Sequence, residues 1–203
     1  MTKTQLRRSK LWLRWILLAV FILITFIAKN GYSEIEKSFF NTIYNLHLPN
    51  GLMLIITQFG AVGTVIGASL ALLLNGKKQR ALLIIIAGYF TYTSTLILKG
   101  FIARPRPYEV IDGVSSYDLS AFGYGFPSGH TALAVVIALS LWNLLGRVGK
   151  AFLLFMVVLV GFSRISLGVH APLDILGGAI LGAITYFMIN ALVKLVINKV
   201  EES

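Results

Sequence analysis

The chain has 203 residues, 57% of them hydrophobic and 13% charged, with a net charge of +10 and a mean hydropathy of +0.81. A soluble domain carries about 25% charged residues, so a water-soluble fold is excluded; no segment between the apolar runs is large enough for the nucleic-acid-binding domain that the charge alone would suggest. The absence of cysteine excludes disulfides, Cys-ligated zinc, iron–sulfur clusters and a thiol nucleophile.

Lys3, Arg7, Arg8 and Lys10 precede an apolar run that reaches Ala28. The residues after it make a poor cleavage site, so the run reads as an uncleaved first span and not as a signal peptide. Six spans are predicted, at approximately 11–28, 51–74, 81–98, 129–146, 150–168 and 172–193. Each is near the ~20 residues that cross about 30 Å of hydrocarbon as a helix. No alternating ten-residue strand pattern points to a barrel. The expected fold is an all-α integral membrane protein, one domain over 1–203, with no internal repeat.

Segment 29–50 is too polar to span and too apolar for a plain loop. Ile35, Phe39, Phe40, Ile43, Tyr44 and Leu46 recur at helical spacing, which predicts a short interfacial helix with its aromatic face among lipid headgroups. An irregular loop packed on the bundle is the alternative. In the second span Gly60, Gly63, Gly67 and Ser69, and in the sixth Gly177, Gly178 and Gly182, would allow close helix approach; glycine is also simply common in membrane helices.

Loop charges set the orientation. Besides the N-terminal cluster, Lys77, Lys78 and Arg80, then Arg147 and Lys150, then Lys194 and Lys199 all fall on one side of a six-span threading. That side is cytoplasmic by the positive-inside rule, with both termini inside. Segments 29–50, 99–128 and the turn at 164–171 then face outward.

Six basic residues are left on the outer side: Lys29, Lys37, Lys99, Arg104, Arg106 and Arg164. For Lys29 and Lys37, snorkelling to headgroups is sufficient reason. The others have neighbours that suggest chemistry. His130 follows Pro127-Ser128-Gly129 at the start of the fourth span. His170 precedes Pro172, a residue suited to a first helical turn, and Asp174 lies four residues further on, within reach on one face. Ionisable groups at span ends are functional candidates by default. Asp174 hydrogen-bonded to His170 would orient the ring and stabilise its protonated form. The third histidine, His47, reads as an interfacial residue.

The run from Gly125 to His130 leads into a helix N-terminus, where free N–H groups and the dipole favour an anion. Ser128 and Gly129 are expected to supply an amide cradle. With Lys99, Arg106 and Arg164 added, a phosphoryl group is the natural ligand, since its transfer relies on positioning and on spreading negative charge over donors. No clustered carboxylates in the outer segments would bind magnesium or calcium, so no metal and no cofactor is expected.

Lys99 with Arg106-Pro107, Pro127-Ser128-Gly129-His130, and Ser163-Arg164 with His170 and Asp174 together resemble the three-part signature of the type 2 phosphatidic acid phosphatase superfamily. In layout the chain resembles small bacterial phosphatidylglycerophosphate phosphatases of that superfamily. The resemblance implies a bacterial inner-membrane enzyme that hydrolyses a lipid phosphate monoester at the outer boundary without a metal. It implies His170 as nucleophile forming a phosphohistidine, Asp174 orienting it, and His130 protonating the leaving oxygen and then activating water. Lys99, Arg106 and Arg164 would hold the phosphate with Ser128 and Gly129. Ser163 would contact phosphate or pack helices. Arg104 falls outside the spacing and is expected as a rim or lipid-headgroup residue; the 29–50 segment, Tyr108, Glu109 and Asp112 are candidate rim elements. Undecaprenyl pyrophosphate, phosphatidate and diacylglycerol pyrophosphate are alternative substrates; a transporter and a phosphotransferase are alternative classes. The expected partners are the lipid substrate and the bilayer, with no nucleic acid, and the sequence assigns no oligomeric state.

Overall fold

The computed structural model describes residues 3–201, and every described element is helical. Side chains of the N-terminal basic cluster lie outside the described residues. The first helix, α1, runs Lys3–Lys29, and α2 runs Glu34–Tyr44. Ser33 caps α2 by accepting from the Glu36 amide at 3.2 Å, and Glu34 and Glu36 complement the dipole in its first turn. The two helices meet at 89°, so α2 turns away from the axis of α1 and does not prolong it.

The expected helix in 29–50 therefore forms, with a different buried face. Glu36, Phe40 and Tyr44 point inward, while Ile35 and Phe39 are exposed. Phe40 and Tyr44 pack against Ile165, far along the chain. Lys37 pairs with Glu34 on the exposed side at 2.9 Å. His47 is exposed, with a left-handed φ of 46° that turns the chain out of α2, and its ring meets that of Tyr44 edge-on.

The predicted span 51–74 is broken. It forms α3 (Asn50–Thr57), a 3₁₀ turn (Gln58–Gly60) and α4 (Val62–Leu74), bent by 51°. The break has a packing cause. Gly60 lies against the backbone of His130, and any side chain there would collide with the His130 carbonyl. Ala61 is extended, and the Thr64 hydroxyl takes up the Gln58 carbonyl at 2.5 Å. Gly63 and Gly67 face open space, so close approach explains only Gly60 of these three.

Next, α5 runs Lys78–Ile102 and ends where Ala103 adopts φ 51°, followed by the Arg-Pro-Arg-Pro turn and the four-residue α6 (Pro107–Val110). After an irregular segment come α7 (Gly129–Leu141, continued by a 3₁₀ turn at Trp142–Leu144), α8 (Arg147–Ser166) and α9 (Pro172–Glu201). Pro172 opens α9 as expected. The helix α9 packs on α7, α5 and α1. Gly178 and Gly182 let it approach α7 so closely that their missing side chains would overlap the carbonyls of Ser128 and Ala132.

Three stretches are long and apolar enough to cross a membrane alone: Lys78–Val110, Arg147–Ser166 and Pro172–Ile197. Counting each bent pair as one raises this to five. The stretch Gly129–Leu144 is shorter, about 24 Å at the helical rise. Exposed Trp15, Leu23 and Phe26 on α1, and Phe152, Phe155 and Val158 on α8, give the bundle an apolar exterior that lipid, not water, accommodates.

Candidate active site

The chain's up-and-down course brings the last turns of α5 and α8, the first turns of α7 and α9, and the segment 103–128 to one end of the bundle. All the residues singled out for phosphate chemistry lie there. Their placement depends on backbone ties between elements: the Ser128 amide donates to the Asp174 carbonyl at 2.9 Å, and the His170 amide to the Arg164 carbonyl at 3.3 Å.

His170 sits in the turn between α8 and α9, only 2% exposed. Its Nδ1 is 3.4 Å from Asp174 Oδ2, a close contact without hydrogen-bond alignment. Oδ2 instead accepts from the Ala171 amide at 2.8 Å, which closes the first turn of α9 around the carboxylate. On the other ring nitrogen, Nε2 faces Arg106 Nη1 at 3.5 Å. Burial, and then the charges of Arg106, Lys99 and Arg164, hold the His170 imidazole well below its usual range. Desolvation and the three cations together favour the neutral ring. A neutral ring keeps a lone pair for attack.

Each of the three cations is held by the segment 103–128. Arg106 donates through Nε to the Gly123 carbonyl (2.7 Å), through Nη1 to that of Val169 (2.8 Å) and through Nη2 to that of Phe122 (2.9 Å). Lys99 Nζ donates to the carbonyls of Tyr124 and Gly125. Arg164 Nη1 donates to Asp118 Oδ2 (2.7 Å) and Thr57 Oγ1 (3.1 Å). Burial alone would raise the Asp118 pKa, but hydrogen bonds from Ser120 and the attraction of Arg164 outweigh it and bring it down to about 2. An arginine has five N–H donors; Arg106 commits three to carbonyls and turns a fourth toward His170 Nε2, so one Nη2 donor remains for an anion.

His130 is half-buried at the second position of α7. Ser128 caps that helix: its hydroxyl oxygen accepts from the Thr131 hydroxyl at 3.1 Å and the Thr131 amide at 3.5 Å. The expected amide cradle needs correction here, because the Ser128 amide is spent on Asp174. What remains toward an anion is the Ser128 hydroxyl hydrogen and the first amides of α7, which have no helical acceptor. Ser163 is fully buried and its hydroxyl donates to the Val160 carbonyl at 2.8 Å, so it packs the helix.

The largest correction concerns Arg104. Expected at the rim, it is 2% exposed. Nη1 donates to Asp174 Oδ1 at 2.7 Å, and Nη2 to Glu36 Oε2 at 2.5 Å and to the Gly31 carbonyl at 3.1 Å. The Tyr32 ring stacks 4.1 Å from the guanidinium carbon. Two expected rim residues have local roles: Glu109 accepts from the Arg106 amide at 2.7 Å, and the Tyr108 hydroxyl donates to the Ala121 carbonyl at 3.2 Å. Sequence reasoning missed Glu36, Asp118 and Thr57. Only the burial of acids in so acidic-poor a chain could have flagged the first two.

A family model described as PAP2 superfamily matches residues 78–197, more than half of the chain. An undecaprenyl-diphosphatase of Sulfolobus acidocaldarius is 29% identical over 187 residues, covering 86% of this chain and 88% of that protein. The undecaprenyl-diphosphatase BcrC of Bacillus subtilis is 29% identical over 159 residues, covering 76% and 80%. A crystal structure of a PAP2-type phosphatidylglycerolphosphate phosphatase from Bacillus subtilis superposes with a TM-score of 0.70 at 24% identity, over 90% of this chain and 96% of that one. That last likeness is one of fold.

Proposed function

We propose, for a chain that belongs to the PAP2 superfamily and is a multi-pass membrane lipid phosphate phosphatase, that hydrolysis runs through a phosphohistidine on His170. The observation that carries this reading is the buried His170 ring, with Asp174 on one nitrogen and the Arg106 guanidinium facing the other. In this reading the substrate phosphate lies over Nε2, held by Arg106, Lys99 and Arg164 with the Ser128 hydroxyl and the Gly129 amide. Nε2 attacks phosphorus as the bond to the leaving oxygen breaks, and His130 donates the proton that oxygen takes up. Asp174 is close enough to stabilise the charge that develops on the ring. His130 then removes a proton from water, which displaces the phosphoryl group from His170 and releases inorganic phosphate. The three cations lower the barrier by meeting charge on the transferring group.

Six spans complete the reading, with α1, the bent α3–α4 pair, α5, α7, α8 and α9 crossing in turn. The loop charges put both termini in the cytoplasm and the site at the outer boundary, in a bacterial cell membrane. A crevice of about 200 Å³ lined by Phe59, Ala134, Ile137, Phe152 and Met156 lies below His130 between α4, α7 and α8. It offers apolar surface for a substrate chain.

For the lipid itself, two relatives that share most of their length with this chain are undecaprenyl-diphosphatases. This favours a polyprenyl diphosphate. Phosphatidylglycerophosphate, the substrate implied by the sequence layout, is the second reading, favoured by the fold-level likeness. Phosphate release from each lipid by the purified protein tests the choice. A preference of tenfold or more for the diphosphate supports the first; the reverse establishes the monoester and removes the first.

A further inference from the structure

The cluster around Arg104, next to the His170–Asp174 pair, lies outside the residues assigned to phosphate. Arg104 lies between two carboxylates, Asp174 and Glu36, with Nη1 on one and Nη2 on the other. All three side chains are at most 4% exposed. Glu36 Oε1 also accepts from the Leu173 amide at 3.0 Å, in the first turn of the helix that carries Asp174. Tyr32 covers the guanidinium face, and its hydroxyl donates to the Pro105 carbonyl at 2.7 Å. Thus one residue of α2 and one of the Arg-Pro-Arg-Pro turn fix both the carboxylate and the helix end beneath it. A buried ionic group is poor as a source of stability, because desolvation offsets its attraction; a role in fixing geometry accounts for it better.

The constraint is specific. Asp174 Oδ1 is committed to Arg104 and Oδ2 to the Ala171 amide, so the carboxylate cannot rotate without breaking one of them. This leaves the Oδ2 edge toward His170 Nδ1. We propose that Arg104 and Glu36 are positioning residues for the reaction: Arg104 clamps Asp174 against His170, and Glu36 holds the clamp while tying α2 to the start of α9. The inference rests on the His170–Asp174 reading given above. It makes α2 a support of the reacting pair as well as a surface helix.

The test compares Arg104→Met, Arg104→Lys and Glu36→Gln with the unaltered protein, by steady-state phosphate release from a lipid phosphate in detergent. Each is also combined with Asp174→Asn. The phosphate cradle is untouched in all of them, so the loss falls on kcat. Arg104→Met is expected to lower kcat about 10- to 100-fold with KM within about threefold, as for a lost hydrogen bond to a charged group. Arg104→Lys recovers part of that loss, and Glu36→Gln, nearly isosteric, lowers kcat about three- to tenfold. In the Asp174→Asn background none of the three changes costs more than about twofold, since the clamped group is already gone. Wild-type kcat in Arg104→Met, a rise in KM alone, or losses that multiply with Asp174→Asn each overturn the proposal. Should Arg104→Met fail to fold, Arg104→Lys and Glu36→Gln decide by the same criteria. If Asp174→Asn itself keeps wild-type kcat, the His170–Asp174 reading fails first, which separates the two outcomes.

Discussion

Replacing Asp118 by Asn removes the carboxylate that faces Arg164 and keeps nearly the same shape. The Asp118 Oδ1 contacts with the Ser120 amide (2.9 Å) and hydroxyl (2.6 Å) survive, while the 2.7 Å ion pair is lost. Arg164 is 2% exposed and retains only Thr57 as a side-chain partner among the described residues. Leaving a buried charge uncompensated costs about 3 kcal/mol or more, and on a chain of this length that lowers Tm by roughly 6–12 °C. Yet Arg164 is assigned to phosphate, so Asp118 and phosphate compete for one guanidinium. By linkage, removing Asp118 should tighten inorganic phosphate about fivefold or more and let saturating phosphate return part of the lost Tm. The assay is thermal unfolding in detergent with and without phosphate, alongside phosphate inhibition of turnover. Because the folded pKa of Asp118 lies below the usual carboxylate value, its contribution is present above about pH 4 and fades as pH falls toward about 2. Asp118→Asn should lack that limb. An unchanged Tm together with an unchanged phosphate affinity would refute the reasoning.

Other expectations follow from the same geometry. With the His170 ring held well below its usual range, loss of the neutral nucleophile should begin only below pH 6.5, so the acid limb of kcat/KM lies under that value; a limb at or above it contradicts the neutral-ring account. Gly182→Val puts a branched side chain against the Ala132 backbone and should destabilise by about 1–3 kcal/mol or separate α7 from α9, read as a lower Tm with lower kcat. Reporter fusions after residues 78 and 115 should report opposite sides, with 78 cytoplasmic; a cytoplasmic 115 overturns the outer placement of the site.

Most of the architecture was legible because lipid imposes one-dimensional rules. Apolar runs and the Gly178–Gly182 pair can be read along the chain, and the structure places helices where the runs predicted them. The break at Gly60 was not legible: its cause is the backbone of His130, seventy residues away. In the site, His130, His170, Asp174, Lys99, Arg106 and Arg164 stood out because charge near a membrane span needs a reason. Arg104 was misplaced because nothing local distinguishes it from Arg106; only folding brings Glu36 and Asp174 to it. Ser128 shows the same limit, since its amide is committed to a carbonyl of α9 that spacing cannot reveal.

The central claim is that His170 carries the phosphoryl group. Rapid mixing of the protein with a lipid bearing a labelled terminal phosphate, followed by an alkaline quench that preserves phosphohistidine, tests it most directly. The account predicts transient label on the wild-type protein, mapped to His170, with neither label nor phosphate release in His170→Ala. Label or release persisting at the wild-type rate in His170→Ala would contradict it.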